Sequence, residues 1–353
     1  MRRVLLTGGA GFAGSHVAEH LLKNTDVRIT FLDRLDFSGN LNRIAQIKHW
    51  GAFKHRCKFV FHDLRAEINE QLASQIGEHD VIIHMAALTH VDRSISDPIA
   101  AVYDNVLGTA NILQHARRGC ERFLYFGTDE VHGPAPLGTA YVEWDRYNSG
   151  NPYSATKAGG EELALAWKNT YGVPVIITHT MNIYGERQSP EKMIPMCIQK
   201  TRDGEVVTIH SDVTRTRAGS RFYIHARNMA SALLHVLDHG AIGDKYNIVG
   251  EVECDNLALA QLIAGFVGQP LHYEMVDFHS SRPGHDLRYA LNGNKLRDLG
   301  WSPPVSFEKS LQKVVEWSLE HPEWLGSPKE SVSTVERHSP PLHAVKNIVG
   351  GNG

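Results

Sequence analysis

The sequence predicts an α/β fold: a doubly wound parallel sheet with a smaller C-terminal substrate-binding lobe. Three observations carry this. Short apolar runs at residues 4–6, 29–32, 59–61, 81–84, 123–126 and 175–179 alternate with helical patterns, as in parallel strands joined by helical crossovers. The first run leads directly into a glycine-rich turn and then a helix. Beyond residue 182 the alternation becomes irregular, with Pro190, Pro195 and a polar stretch at 210–220.

The turn reads Thr7-Gly8-Gly9-Ala10-Gly11-Phe12-Ala13-Gly14, and the helical pattern after it runs through Val17, Leu21 and Leu22. Gly8 and Gly11 let the backbone turn and approach a pyrophosphate, and Gly14 permits close packing. The free N–H groups of the helix N-terminus face the anion. The second strand, 27–32, ends in Asp33, where a carboxylate can accept hydrogen bonds from ribose hydroxyls and would repel a 2′-phosphate. NAD is therefore favoured over NADP; Arg34 is the one residue that points the other way. The glycine turn, Asp33, Asp63, Ala86 and Thr128 all fall at carboxyl ends of predicted strands, where ligands bind in open α/β sheets.

Two further groups bear chemistry. Tyr153 and Lys157 in Tyr153-Ser-Ala-Thr-Lys157 lie one helical turn apart on one face, so the ammonium can lower the phenol pKa and make Tyr153 a base. About two dozen residues earlier stands Thr128-Asp129-Glu130, which adds an acid and a base to that redox pair. The combination points to a dehydratase working through a transient ketone.

With these residues in place, the chain resembles the extended short-chain dehydrogenase/reductase family, and within it the nucleotide-sugar 4,6-dehydratases of the dTDP-glucose type. Further likeness lies in Asp33-Arg-Leu-Asp-Phe-Ser-Gly-Asn40, His84-Met-Ala-Ala-Leu-Thr-His-Val-Asp-Arg-Ser94, Asp104-Asn-Val-Leu-Gly-Thr109, Asn182-Ile-Tyr-Gly-Glu-Arg-Gln-Ser-Pro-Glu-Lys192 and Arg282-Pro-Gly-His-Asp-Leu-Arg-Tyr289. It runs from about residue 3 to 324. The triplet is its subfamily-specific part, since related epimerases usually carry small or hydroxylic residues at positions 129 and 130.

The resemblance implies a Rossmann sheet and assigns roles. Thr128, Asp129, Glu130, Tyr153 and Lys157 would be catalytic. NAD would lie on Gly8, Gly11, Phe12, Ala13, Asp33, Leu35, Ser38, Gly39, Asp63, Leu64, Ala86, Ala87, Thr89, Asn105, Tyr153 and Lys157. The nucleotide sugar would lie on Thr89, Asn182, Glu191, Lys192, Arg221, Arg282 and His285, with Asn182, Lys192 and Arg221 holding the diphosphate. In the implied reaction Tyr153 takes the C4 hydroxyl proton as the C4 hydride passes to NAD, and Thr128 hydrogen-bonds the developing oxygen. Glu130 removes the C5 proton, Asp129 protonates the departing C6 hydroxyl, and the hydride returns to C6. Asp129 must then hold a proton near neutrality, which asks burial and Glu130 for about 4 kcal/mol.

The chain also departs from the pattern. Gly127 stands where Ser is usual before the triplet, and His132 where Tyr follows it. The segment His210-Ser-Asp-Val-Thr-Arg-Thr-Arg-Ala-Gly-Ser-Arg-Phe-Tyr-Ile-His-Ala-Arg-Asn228 replaces a glycine-rich turn followed by Arg-Asp-Trp. That region meets the nucleotide in relatives, so UDP-, CDP- and GDP-hexoses stay open beside dTDP-glucose. A nucleotide-sugar 4-epimerase, which would leave Asp129 and Glu130 idle, is the nearest competing function. A UDP-glucuronate decarboxylase would set a substrate carboxylate against Asp129, and a non-catalytic NAD-sensing or scaffold protein would have little use for Tyr153 and Lys157.

Composition sets the remaining bounds. The 353 residues, 42% hydrophobic and 21% charged with net charge −3, can bury a core in two lobes. The expected division is 1–181 plus about 222–250 for the NAD domain and 182–221 plus about 251–325 for the nucleotide-sugar lobe. Residues 326–353 read as a flexible tail. Dispersed basic residues argue against nucleic acid, and the sequence holds no long apolar stretch, so a soluble, cytoplasmic protein is expected. Cys57, Cys120, Cys197 and Cys254 lack C-x-x-C spacing, and the 21 histidines are scattered, so neither disulfide nor metal is expected. The resemblance further implies a homodimer through two helices of the nucleotide domain.

Overall fold

The computed structural model describes residues 2–277 and 287–326. Its centre is a seven-stranded, wholly parallel sheet ordered β11-β6-β5-β4-β1-β2-β3. The strands are β1 (Arg3–Thr7), β2 (Arg28–Asp33), β3 (Cys57–Phe61), β4 (Val81–His84), β5 (Arg122–Thr128), β6 (Val175–Thr180) and, after an excursion, β11 (Lys245–Ile248). β1, β2, β4, β5 and β6 carry apolar stretches because both faces of the sheet are covered there, whereas β3 at one edge leaves Lys58 and Phe61 exposed.

Alternate residues of one strand feed opposite cores. Val4 and Leu6 join Ile29, Phe31, Ile83 and Leu124 beneath helices α1 (Phe12–Asn24) and α10 (Ala226–His239). Leu5 turns the other way, joining Leu32, Ile82, Phe123 and Tyr125. That face is covered by α4 (Glu70–Ile76), α7 (Gly108–Ala116) and α8 (Pro152–Tyr171). Between them, α2 (Leu41–Ala45) and α3 (Trp50–Phe53) follow β2, and α5 (Val91–Ser96) and α6 (Pro98–Val102) follow β4. A π turn at Tyr103–Leu107 joins α6 to α7.

The excursion after β6 builds a second layer. It contains β7 (Ile183–Tyr184), α9 (Met193–Arg202), β8 (Val207–Ser211), β9 (Ser220–Phe222) and β10 (Ile224–His225). Later come β12 (Glu253–Asp255), α11 (Asn256–Val267), β13 (Tyr273–Asp277) and the helix Phe307–Glu320. Its core is separate, centred on Ile198, Ile209, Leu259, Ile263 and Leu311. Three two-stranded ribbons, β7–β10, β9–β12 and β8–β13, stiffen it. Among the described residues no helix is long and apolar enough to cross a membrane.

Candidate active site

The carboxyl edge of the sheet gathers the predicted residues. After β1, Gly8 takes φ +69°, and a Cβ there would sit 2.7 Å from the Ala86 nitrogen. A Cβ on Gly14 would sit 2.3 Å from the Gly8 carbonyl, so only glycine permits this turn. Gly11 precedes α1, whose N-terminus has no side-chain cap and no acidic residue in its first turn, which suits it to an anion. Asp33 closes the loop: its carboxylate accepts from Ala10 N at 3.0 Å and Leu35 N at 2.9 Å. Leu35 is turned to φ +52° and a Cβ on Gly39 would come 2.8 Å from the Leu35 Cα, so 33–39 forms a tight turn with Ser38 exposed; Phe12 and Ala13 open α1.

This cradle fits a dinucleotide, and Arg34 does not open it to a 2′-phosphate. Its guanidinium forms a bidentate pair with Asp104, one contact at 2.9 Å, and also meets Asp63 and Asp36. Asp63 is held in addition by Arg65, and Leu64 packs into the core. Asn105 is buried, and its amide is used on Leu88 N, Leu88 O and Thr156. It therefore shapes the loop 86–89, where Ala86 and Ala87 are half-buried and Thr89 is exposed.

The chemistry lies at the end of β5. Thr128 Oγ1 donates to Asp129 Oδ1 at 3.1 Å and accepts from Glu130 N at 3.4 Å. Asp129 Oδ2 is buried with no partner. Burial pushes Asp129 up to about 6, against the Arg221 charge and the Thr128 hydrogen bond. Burial, reinforced by Asp129, pushes Glu130 up to about 7. Both carboxyls are thus raised toward neutrality, where each can hold or release a proton.

Tyr153 and Lys157 come from the first turns of α8. Asn151 caps that helix through Oδ1 to Ser154 N, with Ser154 returning to Asn151 N and Pro152 following. Its Nδ2 lies 3.3 Å from Glu130 Oε2, so one side chain both starts α8 and holds the base. Ser94 also positions Tyr153, accepting from its N–H at 3.0 Å. Neither role was drawn from the sequence, although Asn-Pro-x-Ser carries a legible capping box.

One expectation is corrected. Burial, with Glu130, raises the Tyr153 phenol above its ordinary value, eased only by a Thr128 hydrogen bond. Lys157 does not lower it here: its ammonium donates to the Phe126 carbonyl at 2.7 Å and lies over the Tyr125 ring. A buried ammonium needs an acceptor, and the end of β5 offers one. Burial in turn lowers Lys157 to about 7, opposed by Glu161.

The substrate candidates divide. The charges of Arg221 and Lys192 reach Glu130, and Arg221 also reaches Asp129. The Arg221 guanidinium is aimed by the Ser220 and Leu287 carbonyls and stacks on Tyr289. Glu191 pairs with His90. Asn182 accepts from Ile224 N, joining β7 to β10. The departing segment 211–219 is organised by Asp212, which accepts from Thr216 N, Arg217 N and the Thr214 hydroxyl, while Arg215 takes φ +57°. Arg282 and His285 lie outside the described residues, as does the tail beyond Gly326.

Residues 4–249 match the NAD dependent epimerase/dehydratase family. The chain belongs to that family. Among family members, a dTDP-glucose 4,6-dehydratase of Neisseria meningitidis serogroup B is 35% identical over 347 residues, covering 92% of this chain and 95% of the relative. One from Streptomyces niveus is 38% identical over 344 residues, covering 94% and 98%. The crystal structure of DesIV, the dTDP-glucose 4,6-dehydratase of Streptomyces venezuelae, was solved with NAD bound. It superposes with TM-score 0.83 at 35% identity, covering 91% of this chain and 98% of that one. The extended short-chain dehydrogenase/reductase resemblance and the doubly wound sheet are thereby borne out.

Proposed function

We propose that this chain is an NAD-dependent NDP-hexose 4,6-dehydratase, a hydro-lyase that converts an NDP-glucose, dTDP-glucose foremost, to the NDP-4-keto-6-deoxyhexose. One observation carries this: adjacent carboxyls on Asp129 and Glu130, both raised to near neutrality, sit beside Thr128 and Tyr153 at the carboxyl edge of β5. A 4-epimerase oxidises and re-reduces one carbon and leaves two such carboxyls without a proton to move.

Bound NAD supplies the hydride acceptor for sugar C4 and the donor for C6. Gly8, Gly11 and the α1 N-terminus hold its pyrophosphate, Asp33 holds its ribose, and the loop from Ala86 lines it. Tyr153 takes the C4 hydroxyl proton while Thr128 hydrogen-bonds the developing oxygen. The C4 ketone acidifies C5–H; Glu130 removes that proton, Asp129 protonates the leaving C6 hydroxyl, and Glu130 later returns its proton to C5. The protons balance, because Tyr153 gains one and Asp129 loses one. Thr128, hydrogen-bonded to both, joins them.

Lys192, Arg221 and Asn182 anchor the diphosphate. Residues 1–181 plus about 222–250 form the NAD domain and 182–221 plus about 251–325 the nucleotide-sugar lobe, a division supported by the separate core of the second layer, although Tyr223 joins that core and Leu296 and Trp301 pack into the core beneath α1 and α10. A homodimer through α5–α7 is supported by exposed Ile95, Ile99, Val102, Tyr103 and Leu107 on successive turns, an apolar surface a monomer would leave in water. Free cysteines fit a reducing cytoplasm.

NDP-glucose deuterated at C4 tests the reading. Deuterium on C6 of a 4-keto product supports it. Deuterium retained at C4 of an inverted sugar means an epimerase.

A further inference from the structure

The loop before α8 is laced to the turn that carries the triplet. Asn148 N donates to the Val131 carbonyl at 2.9 Å. Gly133 closes the same turn at φ +74°, where a Cβ would come 2.3 Å from the Asn148 carbonyl, so the two backbones meet with no side chain between them. Pro152 then holds Asn151 extended, at φ −150° and ψ 166°, because the helical region is disfavoured for a residue before proline. The buried Asn151 side chain thereby stands between the first turn of α8 and Glu130.

The cap decides which end of the amide faces Glu130. A backbone N–H only donates, so the Asn151 atom 2.9 Å from Ser154 N is the oxygen. The Nδ2 group, 3.3 Å from Glu130 Oε2, is left to donate there, and a donor on a carboxyl favours its ionised form. Aspartate starts a helix as well as asparagine does but brings no donor, and serine caps with a shorter side chain. Asn151 also precedes Tyr153 by two residues, and Ser94 accepts from Tyr153 N–H at 3.0 Å. The base for C5 and the base for the C4 hydroxyl are therefore indexed to one helix start.

We propose that Asn151 is a positioning residue for elimination, whose amide holds Glu130 as a carboxylate at a fixed spacing from Tyr153. The inference rests on the dehydratase reading, in which Tyr153 acts at C4 and Glu130 at C5. Burial and the neighbouring Asp129 oppose the charge on Glu130; the Asn151 amide, Arg221 from β9 and Lys192 ahead of α9 favour it, and the Tyr153 phenol faces it from α8. Arg221 and Lys192 are the groups assigned to the substrate diphosphate, whose charge offsets theirs once the nucleotide sugar binds. The Asn151 amide is untouched by that binding and stays with Glu130 through the reaction.

The test compares Asn151→Ser and Asn151→Asp, both of which keep an acceptor to start α8, with the wild type on its own NDP-glucose. NADH absorbance reads C4 oxidation, and loss of water by mass spectrometry reads elimination. Oxidation should stay within about tenfold of wild type, while elimination falls about 10- to 100-fold in Asn151→Ser and further in Asn151→Asp, which sets a second carboxyl against Glu130. The acid limb of the kcat profile, which reports ionisation of Glu130, should rise by about one pH unit in Asn151→Ser, with KM for the nucleotide sugar unchanged. Equal losses of oxidation and elimination in both variants, with the limb unmoved, would mean that Asn151 only starts α8 and overturn the proposal. Neutron diffraction of the deuterium-exchanged wild type at pH 8 needs no variant. An Asn151 amide deuterium directed at Glu130 Oε2 is expected, and an amide turned with its oxygen toward Glu130 would overturn the inference. Failure of the wild type to dehydrate any NDP-glucose would instead remove the dehydratase reading, with the neutron result still deciding whether Asn151 holds Glu130.

Discussion

The Thr128 hydroxyl donates to Oδ1 of Asp129 at 3.1 Å, while Oδ2 of the same buried carboxyl has no partner. One oxygen is held and the other is left to carry a proton. A group fixed in this way can act on a leaving hydroxyl without first giving up a protein hydrogen bond. Thr128→Val should reduce kcat by about 100-fold, the scale of one lost positioned proton-transfer contact, while Thr128→Ser should stay within about tenfold of wild type. Steady-state kinetics on the pair checks this; equal loss in both would remove the hydroxyl from the mechanism.

Oxidation and elimination should separate by mutation. Glu130→Gln is expected to retain C4 oxidation, seen as NADH absorbance, and to lose elimination. Tyr153→Phe should suppress even the first hydride transfer, by about 100-fold or more. Full dehydratase turnover in Glu130→Gln would show that Glu130 is not the base.

The acid also sets a pH-dependent stability. Asp129 has a folded pKa of about 6, above its unfolded value near 3.8, so between those values the folded chain binds more protons and stability falls as pH rises. At pH 8 the buried carboxylate costs about 3 kcal/mol; at pH 3 it costs nothing. Asp129→Asn should therefore melt several degrees above wild type at pH 8 and level with it at pH 3. Thermal melts at the two pH values decide, and a variant less stable at pH 8 contradicts the burial argument.

Coenzyme choice should rest on Asp33 together with the clamp on Arg34. Asp33→Ser alone should weaken NAD binding by about 10- to 100-fold without giving NADP binding, because Asp104, Asp63 and Asp36 hold the guanidinium. Adding Asp104→Asn should let NADP bind. Titration calorimetry with both coenzymes tests this, and tight NADP binding by the single variant would show that Arg34 is free to reach a phosphate.

The sheet was legible because its strands are covered on both faces, so residues such as Leu5 and Leu6 are both apolar although they feed opposite cores. Asp33, Asp129 and Glu130 stood out as charges at the ends of those runs. Interactions between distant segments were not legible. Glu161 and Lys245, which pair at 2.8 Å, come from two distant elements, and nothing local distinguishes them from two surface charges. Asn151 shows its cap in sequence but not its bond to Glu130, which is 21 residues away. The Lys157 partner was missed for a related reason: helical spacing sets Lys157 beside Tyr153, but the carbonyl that attracts it belongs to β5.

The most direct test is to incubate the purified protein with NAD and, separately, dTDP-, UDP-, CDP- and GDP-glucose, and to follow the products by mass spectrometry. Loss of one water from the sugar nucleotide, with dTDP-glucose the preferred substrate, is the predicted result. An unchanged mass with an altered sugar by NMR would contradict it and make the chain an epimerase.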